Sequence, residues 1–252
     1  MTTIPSPAAN PSAAPDSPDS TLAAIVSAAP AASIADVLAR MRAIDSLLAD
    51  GDGLKWFNRL YLMVTEQVDS NPPGGSWRDP EWLLHLDVVF AGLYFNAIRD
   101  YLAGATTPSA WVALFEARFN QDVERIQFAL AGMNAHINRD LAIALDQTNA
   151  DMNRDPAPDG PEHADYLAVN TLLDTVMPQA MAMLSAGPLG EAAEDSGKVG
   201  RLLGSFDIYA ARNAAWDFAG VLCDLDGIAR QTALGAQDVS TSALGRALLT
   251  AV

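Results

Sequence analysis

His136 and Asp140 stand four residues apart in the run Gly132-Met-Asn-Ala-His-Ile-Asn-Arg-Asp140. On a helix that spacing puts both side chains on one face, where they can converge on a single proton or cation. An imidazole steadied by a carboxylate is a general base if its other ring nitrogen is free. It becomes half of a metal site if further ligands approach. The further ligands would come from His163, Asp87 or Asp165. Two imidazoles plus one carboxylate, with open positions, suit Fe(II) and oxygen chemistry, or Zn(II) and hydrolysis. The expected metal set is therefore His136, Asp140 and His163, with no organic cofactor.

Three further groups belong to the same chemical expectation. Asp87 falls on the apolar stripe Leu83, Leu86, Phe90, Tyr94, Ala97 and Tyr101, so its carboxyl faces the core, where an unpaired charge costs several kcal/mol. Arg212, in Arg212-Asn-Ala-Ala-Trp216, is the expected partner of Asp87 or of a ligand carboxylate. His136, Asp140, Asp87 and Arg212 form the expected catalytic group. Asn134, Asn138, Tyr94 and Trp216 are the expected substrate contacts. Small Gly132 and Ala135 leave room for a neighbouring helix or a ligand.

The elements that must position these residues read as helices throughout. The chain has 252 residues, half of them apolar and 18% charged, enough for one domain with a sizeable core. Residues 1–32 are rich in Ala, Pro, Ser and Thr and read as a disordered arm; residues 33–252 read as one all-α helical bundle. Helical periodicity predicts segments at 33–48, 54–68, 80–102, 108–149 with a break near Asn120, 161–184, 199–232 and 240–249. An acidic, Gly-containing link spans 187–200. The stretch Ile126 to Asn138 carries no formal charge, which places its helix at the centre of the fold. No hairpin signal or internal repeat interrupts this pattern.

Charge and composition exclude several functions. The net charge is −16, with two lysines, Lys55 and Lys198, so a phosphate-tracking nucleic-acid surface is excluded and anionic membranes are disfavoured. No apolar stretch of membrane-spanning length and no basic leader occur, and the expected setting is cytoplasmic. The single cysteine, Cys223, lies in an apolar run and reads as a packed small hydrophobe. Phosphate-loop, dinucleotide and serine-elbow motifs are missing.

The stretches Leu54-Lys-Trp-Phe-Asn-Arg-Leu-Tyr61, Leu86-Asp-Val-Val-Phe-Ala91, Ala131-Gly-Met-Asn-Ala-His-Ile-Asn-Arg-Asp-Leu141 and Arg212-Asn-Ala-Ala-Trp216 resemble an uncharacterised, mainly bacterial helical family, a domain of unknown function. The resemblance implies an all-α fold and singles out Asp87, His136, Asn138, Asp140 and Arg212, without supplying an activity. Zinc-dependent phospholipase C and the P1-type nucleases also use a His-x-x-x-Asp helix. They need an N-terminal Trp and about five histidines, and this chain has three.

The expected function is an enzyme acting on a small, largely apolar molecule. Metal-dependent oxygen chemistry or hydrolysis comes first. Metal-free acid–base isomerisation, dehydration or cyclisation is the alternative, and a non-catalytic binding or scaffold protein is the third reading. Oligomeric state is left open by the sequence.

Overall fold

Helix starts in this chain are written by oxygen-bearing caps. The structure, a computed structural model, describes residues 17–186 and 207–250. Ser33 accepts from Asp36 N–H ahead of α2 (Ile34–Leu47), and Asp52 from Leu54 N–H ahead of α3 (Gly53–Ser70). Asp79 accepts from Trp82 N–H, with Pro80 opening α4 (Pro80–Leu102). After α5 (Ser109–Ala117), Gln127 reaches back to Glu124 N–H at 3.0 Å to open α6 (Arg125–Ala135). A single π-turn, His136–Asp140, joins α6 to α7 (Leu141–Met152). Then follow α8 (Pro161–Leu184), α9 (Ile208–Cys223) and α10 (Gly227–Leu248). Among the described residues there are helices and turns but no strand, and no helix is long and apolar enough to cross a membrane.

The uncharged helix α6 is central, as its composition requires: every residue from Ile126 to Ala135 is buried. It crosses α3 closely. A Cβ on Gly132 would overlap the ring of Phe57, and one on Gly53 would overlap Phe128, so two glycines let the backbones approach. The room left by Gly132 is taken by Phe57. That ring leads an aromatic cluster with Tyr94, Trp111 and His136, at centroid separations of 5.1, 5.3 and 5.7 Å.

The expectation of a disordered arm reaching residue 32 fails for its last part. Helix α1 (Pro18–Val26) is capped by Ser17 and buries Leu22 and Val26. Asp19 anchors it at 3.0 Å to Arg118, which is itself buried against Asp52. Two apolar contacts and an ion pair offset the ordering cost that Ala/Pro/Ser composition alone leaves unmet. Residues 1–16 and the predicted link 187–200 lie outside the described residues.

The last predicted helices also move. In place of 199–232 and 240–249, α9 ends at Cys223 and α10 runs unbroken from Gly227 to Leu248. The break falls at Asp226-Gly227, where Gly227 adopts φ +47°, a conformation that favours glycine. The predicted helix 108–149 divides into α5, α6, the π-turn and α7. Cys223 is exposed rather than packed, and desolvation and the neighbouring Asp224 push its thiol above its usual range.

Candidate functional site

His136 sits where α6 changes register. Leu141 N–H donates to His136 C=O, an i to i+5 bond, so the chain carries one extra residue in this turn. Such bulges frequently mark functional sites because they re-aim a side chain within a helix. The imidazole lies flat on Phe90 of α4, at 3.4 Å between centroids and 6° between planes, with Tyr61 of α3 at 4.6 Å.

Asp140 is fully buried and both of its oxygens are engaged. Oδ1 accepts from Arg139 at 2.5 Å; Oδ2 accepts from Trp111 Nε1 at 2.8 Å and lies 3.2 Å from His136 Nδ1. The ring proton therefore belongs on Nδ1, and Nε2 keeps its lone pair. Nε2 is sealed from solvent and has no partner among the described residues. Burial pushes the imidazole below its ordinary pKa, against the pull of Asp140, so the ring is neutral near pH 7.

An apolar cavity of about 80 Å³ opens beside this ring, between α3, α4, α6, α8 and α9. Its aliphatic walls include Leu60, Val64, Leu86, Met133, Val169 and Leu173, and its polar lining includes His136, Asp87 and Arg212. Asp87 precedes Phe90 by one helical turn. The residue as a whole is half-buried, but Oδ2 is shielded from solvent and unpartnered. Desolvation raises the Asp87 carboxyl to about 7, with Asp69 adding to the rise and Arg212 opposing it.

Arg212 does not pair with Asp87 as expected: among the described residues no carboxylate lies within 4.0 Å of it. It is 7% exposed and held by three contacts. Nε donates to Asn170 Oδ1 at 2.8 Å, Nη2 donates to Tyr166 C=O at 2.5 Å, and the guanidinium lies 4.2 Å from the Tyr166 ring centre.

The structure thus brings His136, Asp140, Asp87 and Arg212 to one place. It does not bring the expected substrate contacts there. Asn134 donates to Thr241 C=O of α10 at 2.8 Å and accepts from Asn138 at 2.9 Å, so this amide pair ties helices together on the far side. Tyr94 is fully buried behind the cavity wall, with its hydroxyl 3.3 Å from Asn58 Oδ1. Trp216 packs on Trp82, His163 and Tyr166.

The expected metal set does not form. His163 packs against Trp216, tilted at 37° with ring centres 4.4 Å apart, and gives its Nδ1 proton to Pro158 C=O. Asp165 accepts from the backbone N–H groups of Arg78 and Asp79, at 2.9 and 2.6 Å. With both Asp140 oxygens taken, His136 Nε2 and Asp87 Oδ2 are the unpartnered donor atoms left on the cavity, short of the three protein ligands a catalytic metal site uses. Among the described residues no group of three or more His, Cys, Asp or Glu side chains is arranged to hold one.

Each of the stretches that resembled a helical family contributes to this cavity: Phe57 and Tyr61, Asp87 and Phe90, His136 and Leu141, and Arg212. A family model, "Family of unknown function (DUF5995)", matches residues 34–251. The chain belongs to DUF5995. No curated protein and no solved structure matches the chain. For this DUF5995 member the functional evidence is the geometry itself.

Two contributors escaped the sequence reading. Tyr61 lines the cavity and its hydroxyl has no hydrogen-bond partner among the described residues. Burial, then Asp87 and Asp140, push that hydroxyl well above its usual pKa, so it stays protonated as a donor. Trp111 fixes Asp140 from behind. In the sequence both read as ordinary core aromatics on apolar helix faces. The only available signal was that tyrosine and tryptophan carry a polar atom that needs a partner once buried.

Proposed function

We propose that this cavity is the active site of an enzyme performing metal-free general acid–base chemistry on a small, largely apolar molecule, with isomerisation or dehydration as the reaction class. One observation carries the reading: His136 Nε2 and Asp87 Oδ2, two sealed polar atoms without partners, belong to residues that line the same apolar hollow. Buried polar atoms are ordinarily hydrogen-bonded, so two orphans on one cavity point to a guest that completes them. Among the described residues the metal-dependent alternative finds no third ligand beside His136 and Asp87.

His136 Nε2 takes a proton from carbon, and the imidazolium that forms is stabilised by Asp140 against Nδ1–H. Asp87, protonated because its carboxyl titrates near neutrality, gives its proton to the other end of the rearranging group. In an isomerisation the two proton movements cancel. Asp87 is then a carboxylate facing Arg212, and a proton returned from His136 resets both groups. In a dehydration the same donation releases the leaving hydroxyl as water. The apolar walls keep bulk water from competing for the protons.

The test is wash-in of deuterium. The full chain, treated with a chelator, is incubated in D₂O with a panel of small organic acids and alcohols, and exchange is read by mass spectrometry. Protein-dependent deuteration of a substrate is expected. It should be abolished by His136→Gln and slowed at least about 100-fold by Asp87→Asn, with the helical circular dichroism unchanged. Exchange indifferent to both substitutions overturns the proposal. If both variants only lower the melting temperature and no substrate exchanges, the polar network is structural.

A further inference from the structure

Arg212 is a buried cation with no carboxylate within ion-pair distance among the described residues. Its neighbours, Asn170, the Tyr166 carbonyl and the Tyr166 ring, hold the guanidinium in place but supply no negative charge. Desolvation alone lowers the Arg212 pKa, so the folded protein holds this charge at a cost that an anion beside it would offset. Asp87 lines the same cavity yet remains beyond ion-pair distance. A guanidinium fixed by packing in an apolar hollow is the standard means of reading a carboxylate.

The walls define the rest of the ligand. On α3 the lining runs from Phe57 to Val68 and on α8 from Tyr166 to Met177. The cavity is small, about 80 Å³, and its walls are mostly aliphatic and aromatic, which suits a short alkyl group. One arginine and no lysine line it, which matches a single negative charge better than a phosphate dianion.

We infer that the cavity takes a short-chain aliphatic monocarboxylate, with its carboxylate on Arg212 and its proton-exchanging carbons beside His136. This rests on the acid–base reading for the role of His136, but the head-group and chain assignment stands on Arg212 and the small apolar cavity. The groups facing Asp87 and the bound head are Arg212 on α9, Tyr61 and Asp69 on α3, His136 and Asp140 on the π-turn, and Tyr166 on α8. Asp87 changes charge around pH 7, in the direction that repels a carboxylate as pH rises.

Calorimetric titration of the full chain with butyrate, butanol, butylamine and octanoate tests this directly. Butyrate is expected to bind at least tenfold tighter than the other three, and several-fold tighter at pH 6 than at pH 8. Arg212→Gln should abolish that preference. Because that change could loosen the α8–α9 contact, Asp87→Asn is the second variant, and it should remove the pH dependence while keeping the preference for butyrate. Equal or tighter binding of butylamine or butanol, or no binding of butyrate, overturns the ligand class. The deuterium wash-in reports separately on the acid–base chemistry, so either reading can fail while the other stands.

Discussion

Trp111 and His136 meet at one oxygen. Trp111 Nε1 donates at 2.8 Å to Asp140 Oδ2, the atom that lies 3.2 Å from His136 Nδ1. The indole therefore draws on the same lone-pair density that would otherwise go to the imidazole. Trp111→Phe keeps an aromatic ring and deletes the donor. Asp140 should then bind the Nδ1 proton more strongly and raise the His136 pKa, visible as a titration midpoint moved to higher pH in histidine-detected NMR. The lost hydrogen bond to a charged group should cost about 1–3 kcal/mol in denaturant unfolding. An unmoved His136 midpoint would remove Trp111 from the positioning of the site.

Asp140→Asn addresses the tautomer. An amide can donate to Nδ1 where a carboxylate can only accept, so the imidazole proton should move to Nε2. The cavity would lose its acceptor and gain a donor. Nitrogen chemical shifts of the His136 ring should exchange their assignments, and deuterium wash-in should fall by about 100-fold or more, as for removal of a positioned general base. Wash-in unchanged in the variant would remove Asp140 from the positioning of His136.

Asp87 sets a pH dependence whose sign can be worked out. Its carboxyl titrates near 3.8 when unfolded and at about 7 when folded, so between these values the native state binds more protons than the unfolded chain. Stability contributed by this group is therefore full below about pH 4 and is lost as pH rises to about 7. At about 1.4 kcal/mol per pH unit the total is about 4 kcal/mol. Asp87→Asn, which cannot ionise, should unfold at a higher denaturant concentration than the parent at pH 8 and match it near pH 4. His136 acts in the opposite sense, losing stability as pH falls below 6.5, because its imidazole is held neutral. Parallel curves for parent and Asp87→Asn across this range would contradict a sealed carboxyl.

Much of this arrangement was legible in the residue string, and the failures have a common cause. Asp79-Pro80 and Gly160-Pro161 fix their helix starts through local chemistry, and the uncharged run from Ile126 had to be buried whatever surrounded it. His136 and Asp140 pair because four residues still bring them together. Asn134 and Asn138 were sent to the wrong partner because projection at a fixed angle per residue cannot show which neighbour each face of an all-buried helix meets. The i to i+5 turn then shifts everything after His136 by one further residue. His163 was misassigned because a histidine in a first helical turn looks the same whether it faces a metal or a tryptophan. Arg212 was identified as a carboxylate reader, but its separation from Asp87 depends on how α4 and α9 pack, and no local pattern encodes that.

Gly132 offers a test of the cavity by crowding it from behind. A Cβ at this position would overlap the Phe57 ring, and Phe57 itself lines the cavity. Gly132→Ala must therefore either part α3 from α6 or swing Phe57 toward the ligand space. Overpacking of this kind costs about 1–3 kcal/mol, more than the roughly 1 kcal/mol gained by replacing glycine within a helix. Gly92 on α4 is the control: nothing lies within 4 Å of its added Cβ, so Gly92→Ala should stabilise by up to about 1 kcal/mol. If the ring moves inward, Gly132→Ala should weaken butyrate binding at least tenfold while Gly92→Ala leaves it unchanged. Equal affinity in both variants would show that the Phe57 end of the hollow is not part of the ligand space.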